Sequence, residues 1–265
     1  MKPLALQLFP LRLQQSLYYR FYHRRHAKWP HLFEAAQLRF APQVSMFGLI
    51  RGDIISGNIA FNGFYELGLS REIAQLAKGG GLFVDVGANM GYFSLLWTGL
   101  NSSARAIAYE AAPRNIKLIK NNIARNQLGQ RIALVPKAAG NRDGQISFEV
   151  GPDDQTGWGG VSNAPAGTSL MVPVVRLDAE LSCEAIDVLK IDVEGADTWV
   201  LQGCEKLLMK KQIRRIYFEQ NEERMHKLGI RQNDAQKFLR DLGYVCKPFL
   251  RGHGEWMAYP ARNAD

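Results

Sequence analysis

The chain has little of what marks several protein classes. Its 265 residues hold three cysteines, Cys183, Cys204 and Cys246. Odd in number and far apart, they offer neither a disulfide framework nor a cysteine-based metal site, and they suit a reducing compartment. No apolar run approaches the ~20 residues needed to span a bilayer. At the start, two prolines and Gln7 interrupt the leucines and no small-x-small cleavage site follows, so a secretory signal is not expected. Acids are scarce in residues 1–40, where Glu34 stands alone against seven lysines and arginines. Six of the eight net positive charges therefore lie in that arm, and the rest of the chain is nearly neutral. The basic pI of about 9.4 does not report a nucleic-acid-binding surface spread over the molecule. An N/D-P-P-Y/F segment, which would present a flipped base, is also missing.

What is present centres on Leu82 to Trp97. Leu82 to Val86 is an apolar run suited to a strand buried on both faces, and Gly87, Asn89 and Gly91 punctuate it. From Gly91 a helix follows, with Phe93, Leu96 and Trp97 on one face. A dinucleotide site requires G-x-G-x-x-G, with a pyrophosphate on the helix amino terminus. Here the pattern is D-x-G-x-N-x-G: the third glycine is missing, and Asp85 would repel a pyrophosphate, which counts against an NAD-dependent oxidoreductase. An acid at that point suits a cofactor carrying an ammonium and a sulfonium, as S-adenosylmethionine does. A second acid, Glu110, ends the next strand, Ala104 to Tyr109, 19 residues after Gly91, where a carboxylate can accept both ribose hydroxyls.

The remaining pattern alternates strands and helices. Residues 11–40 read as helical, with Leu13, Leu17 and Phe21 on the same side as Arg20, Arg24 and Lys28. Such a face is a poor in-plane membrane helix, although the arm is able to touch an anionic surface. His23, His26 and His31 lack partnering ligands and are not expected to bind metal. Val44 to Ile59 reads as a hairpin turning at Arg51-Gly-Asp53, followed by a helix near Ser70 to Ala77, with Tyr65 and Glu66 placed to close over the cofactor. Pro113 to Asn126 reads as a helix, Arg131 to Val135 as a third strand, and Gly144 to Val150 and Met171 to Leu177 as further strands. Between the last two, residues 151–167 form a polar insertion, either disordered or a lid.

The second informative stretch is Ile186 to Asp197. Alternation places Val188, Lys190 and Asp192 on one side, and Lys190, charged within an apolar strand, is expected to pair with a neighbouring carboxylate. Glu194 is expected in the first turn of the helix that follows. Ile213 to Glu219 reads as a fifth strand with an acid at its exit, His226 follows in a polar segment, Asp234 to Leu242 reads as a helix, and Gly243 to Leu250 with Glu255 to Tyr259 as a closing antiparallel pair through Arg251-Gly-His-Gly.

Taken together, F-V-D-V-G-A-N-M-G-Y-F-S (83–94), Y-E (109–110), P-K-A-A (136–139), V-L-K-I-D-V-E-G-A-D (188–197) with V-L-Q-G after it, G-F-Y-E (63–66) and F-E (218–219) resemble the FkbM family of class I methyltransferases. The resemblance covers about residues 60–220 and departs at Asp197, where a glutamate is usual; residues 1–40 lie outside it. It implies an α/β Rossmann-like fold, doubly wound around a mostly parallel seven-stranded sheet with an antiparallel last strand. An amino-terminal helical and hairpin extension (residues 1–66) precedes the methyltransferase domain (67–265). It implies transfer of a methyl group from S-adenosylmethionine, leaving S-adenosylhomocysteine, to a hydroxyl of a sugar, glycan or secondary metabolite, free or carrier-bound, with no metal and no nucleic acid. A nucleic-acid or other N-methyltransferase is the alternative. Asp85, Gly87, Asn89 and Gly91 would line the methionine end and Glu110 the ribose. Ala88, Tyr92, Phe93, Ala111, Asn115, Lys137, Ala138 and Glu66 would complete the cofactor wall. Asp192, Glu194 and Glu219 would form the floor toward the acceptor. Asp192 is the first candidate for general base, Glu194 the second and His226 the third. A cytoplasmic location, peripheral to a membrane through residues 11–40, is the corresponding expectation.

Overall fold

The computed structural model describes residues 3–163, 169–181, 185–249 and 254–261. Cys183, residues 164–167 of the insertion and Arg251 to His253 of the expected closing turn lie outside the described residues.

The amino-terminal arm is not one helix. It comprises α1 (Ala5–Leu8), α2 (Leu11–Leu17), a π turn at Tyr18–Tyr22 and two 3-10 turns, His26–Lys28 and Pro30–Phe33. Aromatic packing breaks it up: Tyr18 is fully buried against Phe61, and its hydroxyl bonds His26 Nε2 at 3.0 Å. Two short strands then pair, β1 (Ala35–Gln37) and β2 (Ser45–Phe47).

The expected hairpin partner, Ile54 onward, is instead helix α3 (Ile54–Asn62). Its isoleucines suggested a strand, but Asp53 caps it by accepting a hydrogen bond from Ser56 N at 2.7 Å. Gly63, at φ 80°, ends it in a left-handed turn. Helix α4 (Leu67–Ala77) leads into the main sheet.

The core strands are β3 (Leu82–Val86), β4 (Arg105–Tyr109) and β5 (Ile132–Val135), alternating with α5 (Tyr92–Leu100) and α6 (Pro113–Arg125). A second sheet follows, absent from the sequence expectation as a separate unit: β6 (Ala138–Ala139), β7 (Gly144–Glu149), β8 (Gly160–Val161) and β9 (Leu170–Val175), in the order β6-β9-β7-β8. After α7 (Leu177–Glu180), the main sheet resumes with β10 (Val188–Ile191), helices α8 (Asp197–Gln202) and α9 (Glu205–Met209), and β11 (Ile216–Glu219). Helices α10 (Glu222–Lys227) and α11 (Asp234–Asp241) precede the last two strands, β12 (Tyr244–Pro248) and β13 (Glu255–Pro260). The order β12-β13-β11-β10-β3-β4-β5 is parallel except for β13, which inserts antiparallel between β11 and β12. The architecture is α/β, Rossmann-like and doubly wound, as expected.

Strand alternation divides the core. Leu82, Val84 and Val86, with Leu189, Ile191, Ile216 and Phe218, pack toward α8, α9 and α11. Phe83, Val188 and Tyr217 face the other layer, built from the amino-terminal extension and helices α3 to α6. Asp85 and Lys190, opposite each other in register, lie on this second face. Because parallel strands bury both faces, their runs are apolar throughout, and a charge within one demands a partner.

Candidate active site

Parallel β3, β4, β5, β10 and β11 end at one edge, and a cavity of about 340 Å³ opens there. The chain turns tightly after β3. Gly87, at φ 79°, leaves no room for a side chain, since a Cβ there would sit 1.8 Å from the Asp192 carbonyl oxygen. Gly87 thus joins the β3 and β10 exits backbone to backbone. Gly87, Ala88, Asn89, Tyr92 and Phe93 form one wall. Glu110, Ala111 and Asn115 continue it from the β4 exit, and Lys137 and Ala138 from the β5 exit. The Lys137 ammonium pairs with Glu180 at 2.9 Å.

Glu110 is buried in this wall, accepting hydrogen bonds from Asn89 N at 2.7 Å and Ala112 N at 2.8 Å. Burial pushes its carboxyl up to about 7, against those amides, which favour the ionised form. Two buried amide oxygens nearby, Asn89 Oδ1 and Asn115 Oδ1, have no hydrogen-bond partner among the described residues. Acceptors left open beside a carboxylate suit a ligand rich in amine and hydroxyl donors, as an adenine nucleoside is.

The opposite side of the cavity is acidic. Glu66, Asp192, Glu194, Glu219 and Glu255 line it, together with Tyr65, Asn221 and Lys190. Lys190 pairs with Asp192 at 3.0 Å, as its strand position led us to expect, and its ammonium lies 5.1 Å from the Phe93 ring centre. Burial by itself would lower the lysine, but Asp192, Asp85 and Glu66 outweigh it and hold its pKa above the ordinary range. Glu66 is pushed up to about 8, by burial first and the Asp192 charge second; Glu219 is pushed up to about 7 for the same reasons. Glu194 does not lie in the first turn of a helix. It precedes α8 in a left-handed conformation, φ 55°, and is held by Arg224 Nε at 3.3 Å and Asn221 Nδ2 at 3.1 Å. Among the described residues, no three His, Cys, Asp or Glu side chains form a group that could hold a metal ion.

Three expected site residues lie outside the cavity wall. Asp85 is fully buried on the α5 side, accepting from Ser94 Oγ at 2.7 Å, and acts on the site through Lys190 rather than by contact. Gly91 supplies the left-handed cap of α5. His226 lies exposed on α10 and does not line the cavity, in contrast to Asp192 and Glu194. Asp197, also outside the wall, accepts a hydrogen bond from Glu219 N at 3.1 Å and so ties α8 to the β11 exit.

The 151–167 insertion forms the roof across its described part: Thr156, Gly157, Gly159, Gly160 and Val161 line the cavity. Its chief anchor is Asp53, which the sequence marks only as a turn residue. The Asp53 carboxylate accepts from Thr156 N at 2.9 Å and Thr156 Oγ1 at 3.1 Å while still capping α3. Arg114 and Asn115 hold the carbonyls of Pro152, Gln155 and Thr156 from below, and Arg224 holds the Trp158 carbonyl from the far side. Losing the cap costs about 1 kcal/mol, and leaving Thr156 N buried and unpaired costs about 1–3 kcal/mol. Asp53→Ala is accordingly expected to lower stability by about 2–4 kcal/mol in urea denaturation, and Thr156→Val by less, because the Thr156 amide keeps its acceptor.

The acids also set a pH dependence. Glu66, Glu110 and Glu219 bind their protons more tightly folded than unfolded, so the stability they contribute is complete below the ordinary glutamate value. It is lost as the pH rises through about 7 to about 8. The melting temperature of the ligand-free protein, followed by circular dichroism, is expected to fall by several degrees between about pH 5 and about pH 8.5.

No curated protein matches the chain in sequence. Among solved structures, it is similar to a methyltransferase FkbM from Methylobacillus flagellatus (13% identity, TM-score 0.49, covering 89% of this chain), of whose length it spans 59%. It is also similar to a precorrin-6y C5,15-methyltransferase from Geobacter metallireducens (15% identity, TM-score 0.43, covering 75% of this chain and 90% of that one). A third similar structure is an SAH-bound methyltransferase from Podospora anserina (12% identity, TM-score 0.44, covering 72% and 78%). Residues 85–246, more than half of the chain, match the Methyltransferase FkbM domain, and the chain belongs to that family.

Proposed function

We propose that the protein transfers a methyl group from S-adenosylmethionine to a hydroxyl of a sugar, glycan or secondary metabolite. The observation that carries this reading is the division of one cavity into two sides. One bears a nucleoside-sized set of acceptors around Glu110, and the other bears five carboxylates around Lys190. Glu110 would hold the ribose, Asn89 and Asn115 the nucleoside amine and nearby donors, and the Gly87–Phe93 turn the methionine end. When bound, the cofactor supplies a methyl group activated by a positively charged sulfur.

The chain's own residues do the rest. The roof excludes water, and the walls orient an acceptor oxygen, which accounts for much of the acceleration in a displacement of this kind. Asp192, held by Lys190, takes the proton that the hydroxyl gives up. Carboxylates are good acceptors for the hydroxyls of a polyol. Above about pH 8, where Glu66 and Glu219 have lost their protons, these acids outnumber Lys190 and Arg224 and would repel a phosphodiester, which speaks against a nucleic-acid acceptor.

Calorimetry with S-adenosylmethionine, S-adenosylhomocysteine and NAD tests the cofactor: heat with the first two and none with NAD is expected, and silence with both sulfur compounds would overturn the reading. Methyl incorporation into a panel of sugars and hydroxylated metabolites tests the acceptor class. A pH effect should accompany binding. Deprotonation of Glu219 and Glu66 through about 7 and about 8 places new charge near the sulfur, which is cationic in the donor and neutral in the product. The preference for donor over product is expected to rise on the order of tenfold between about pH 6 and about pH 8.5. A flat ratio would mean that the sulfur lies away from these acids.

A further inference from the structure

Helices α1 and α2 and the π turn pack onto the body through one side only. Leu6, Gln14 and Tyr18 are buried, and Gly57 admits the Tyr18 hydroxyl where a Cβ would approach it to 2.1 Å. The other side stays uncovered. Leu4, Leu8, Phe9, Leu13, Tyr19 and Phe21 are 44% to 70% exposed. These six, within 18 residues, are most of the eleven large apolar side chains exposed among the described residues. Arg12, Arg20, Arg24 and Arg25 are exposed among them, and no acid occurs before Glu34. The Arg20 guanidinium lies 5.6 Å from the Phe21 ring centre.

We propose that this face docks on an anionic phospholipid bilayer. Exposed leucine and phenylalanine side chains gain by entering the boundary between headgroups and acyl chains, and the neighbouring arginines meet lipid phosphates at that depth. On the sequence wheel, apolar and basic residues share a side, which disfavours a free amphipathic helix. The folded arm is not a single helix: Leu11, Leu17 and Tyr22 pack against the body while Leu13, Phe21, Arg20 and Arg24 are exposed, and long arginine stems can lie along the apolar surface with their charges in the headgroup layer. A second copy of the chain fits less well, since self-pairing would set arginines against arginines with no acid to compensate. A nucleic acid would leave the leucines without an apolar partner. The docked face also lies close to the chemistry: Asn58 of α3 bonds the Tyr19 hydroxyl at 2.9 Å, and Ile55 of the same helix lines the cavity.

The test is co-sedimentation of the full chain with vesicles of phosphatidylcholine, alone or mixed with equal parts of phosphatidylglycerol. Binding to the mixed vesicles only, weakened by salt, is expected. The variant R12E/R20E/R24E is expected to lose at least on the order of 100-fold in partitioning, at about fivefold for each arginine charge removed and more for the reversal. L8D/L13D/F21D is expected to lose at least tenfold. The single variant Phe21→Trp keeps the protein otherwise native, and its emission should shift to the blue with mixed vesicles alone. Failure of the native chain to sediment with anionic vesicles, or equal binding by both triple variants, would overturn the proposal. So would a dimer in analytical ultracentrifugation that L8D/L13D/F21D separates, or an unmoved Phe21→Trp emission.

Discussion

Asp192→Asn is expected to lower turnover by about 10²- to 10⁴-fold, the range that a positioned proton acceptor contributes, while affinity for S-adenosylhomocysteine stays within about twofold. Asparagine keeps an oxygen for Lys190, so the 3.0 Å contact at the β10 exit can persist and the cavity wall keeps its shape. What it loses is the ability to take up a proton. The backbone also argues for an intact cofactor side, because the Asp192 carbonyl, unaltered by the substitution, is what packs against Gly87. Initial rates with a true acceptor and calorimetry with the product separate the two effects. Turnover within tenfold of the native enzyme would move the proton to another acid on that side, Glu66, Glu194, Glu219 or Glu255.

Lys190→Met should produce the largest loss of stability, about 3–5 kcal/mol, because it leaves buried carboxylates without their counter-charge. The Lys190 side chain is 4% exposed, and its ammonium serves Asp192 directly and Asp85 and Glu66 through its field. Asp85 is the most vulnerable of these, with Oδ2 bonded to Ser94 and Oδ1 without a hydrogen-bond partner among the described residues. Methionine fills much the same volume, so packing does not confuse the result. Urea denaturation should show the loss shrinking toward about pH 5, where the acids accept protons. The double variant Lys190→Met/Asp85→Asn should recover a substantial part of it. An additive double variant would show that Lys190 and Asp85 do not interact.

The parts legible in the sequence are those governed by local pattern. Leu82 to Val86 and Val188 to Ile191 are continuous apolar runs, and the glycines and acids at their ends stand out because nothing else explains them. The pairing of Lys190 was visible for the same reason: a charge inside such a run must be answered. What the sequence leaves illegible depends on contacts distant along the chain. Ile54, Ile55 and Ile59 have β-branched side chains, and the Asp53 cap together with the burial of Ser56 to Asn62 makes the segment helical. Asp53 reaches Thr156 across 103 positions, with no local signal of the partnership. Glu255 joins the acidic side because β13 turns back between β11 and β12 and sets it opposite Glu219, a register that no single strand announces. His226 lies off the cavity, and a lone histidine near a strand exit carries no signal of which way its helix faces.

The Asp53 anchor bears on how such an enzyme can change over evolutionary time. Since the roof hangs in part from Asp53 at the start of α3, grafting a foreign insertion onto this core would remove that tie, leaving Arg114, Asn115 and Arg224 to hold it. Substitutions at Asp53 and in the roof are therefore expected to be coupled, with a change in one altering what the other tolerates.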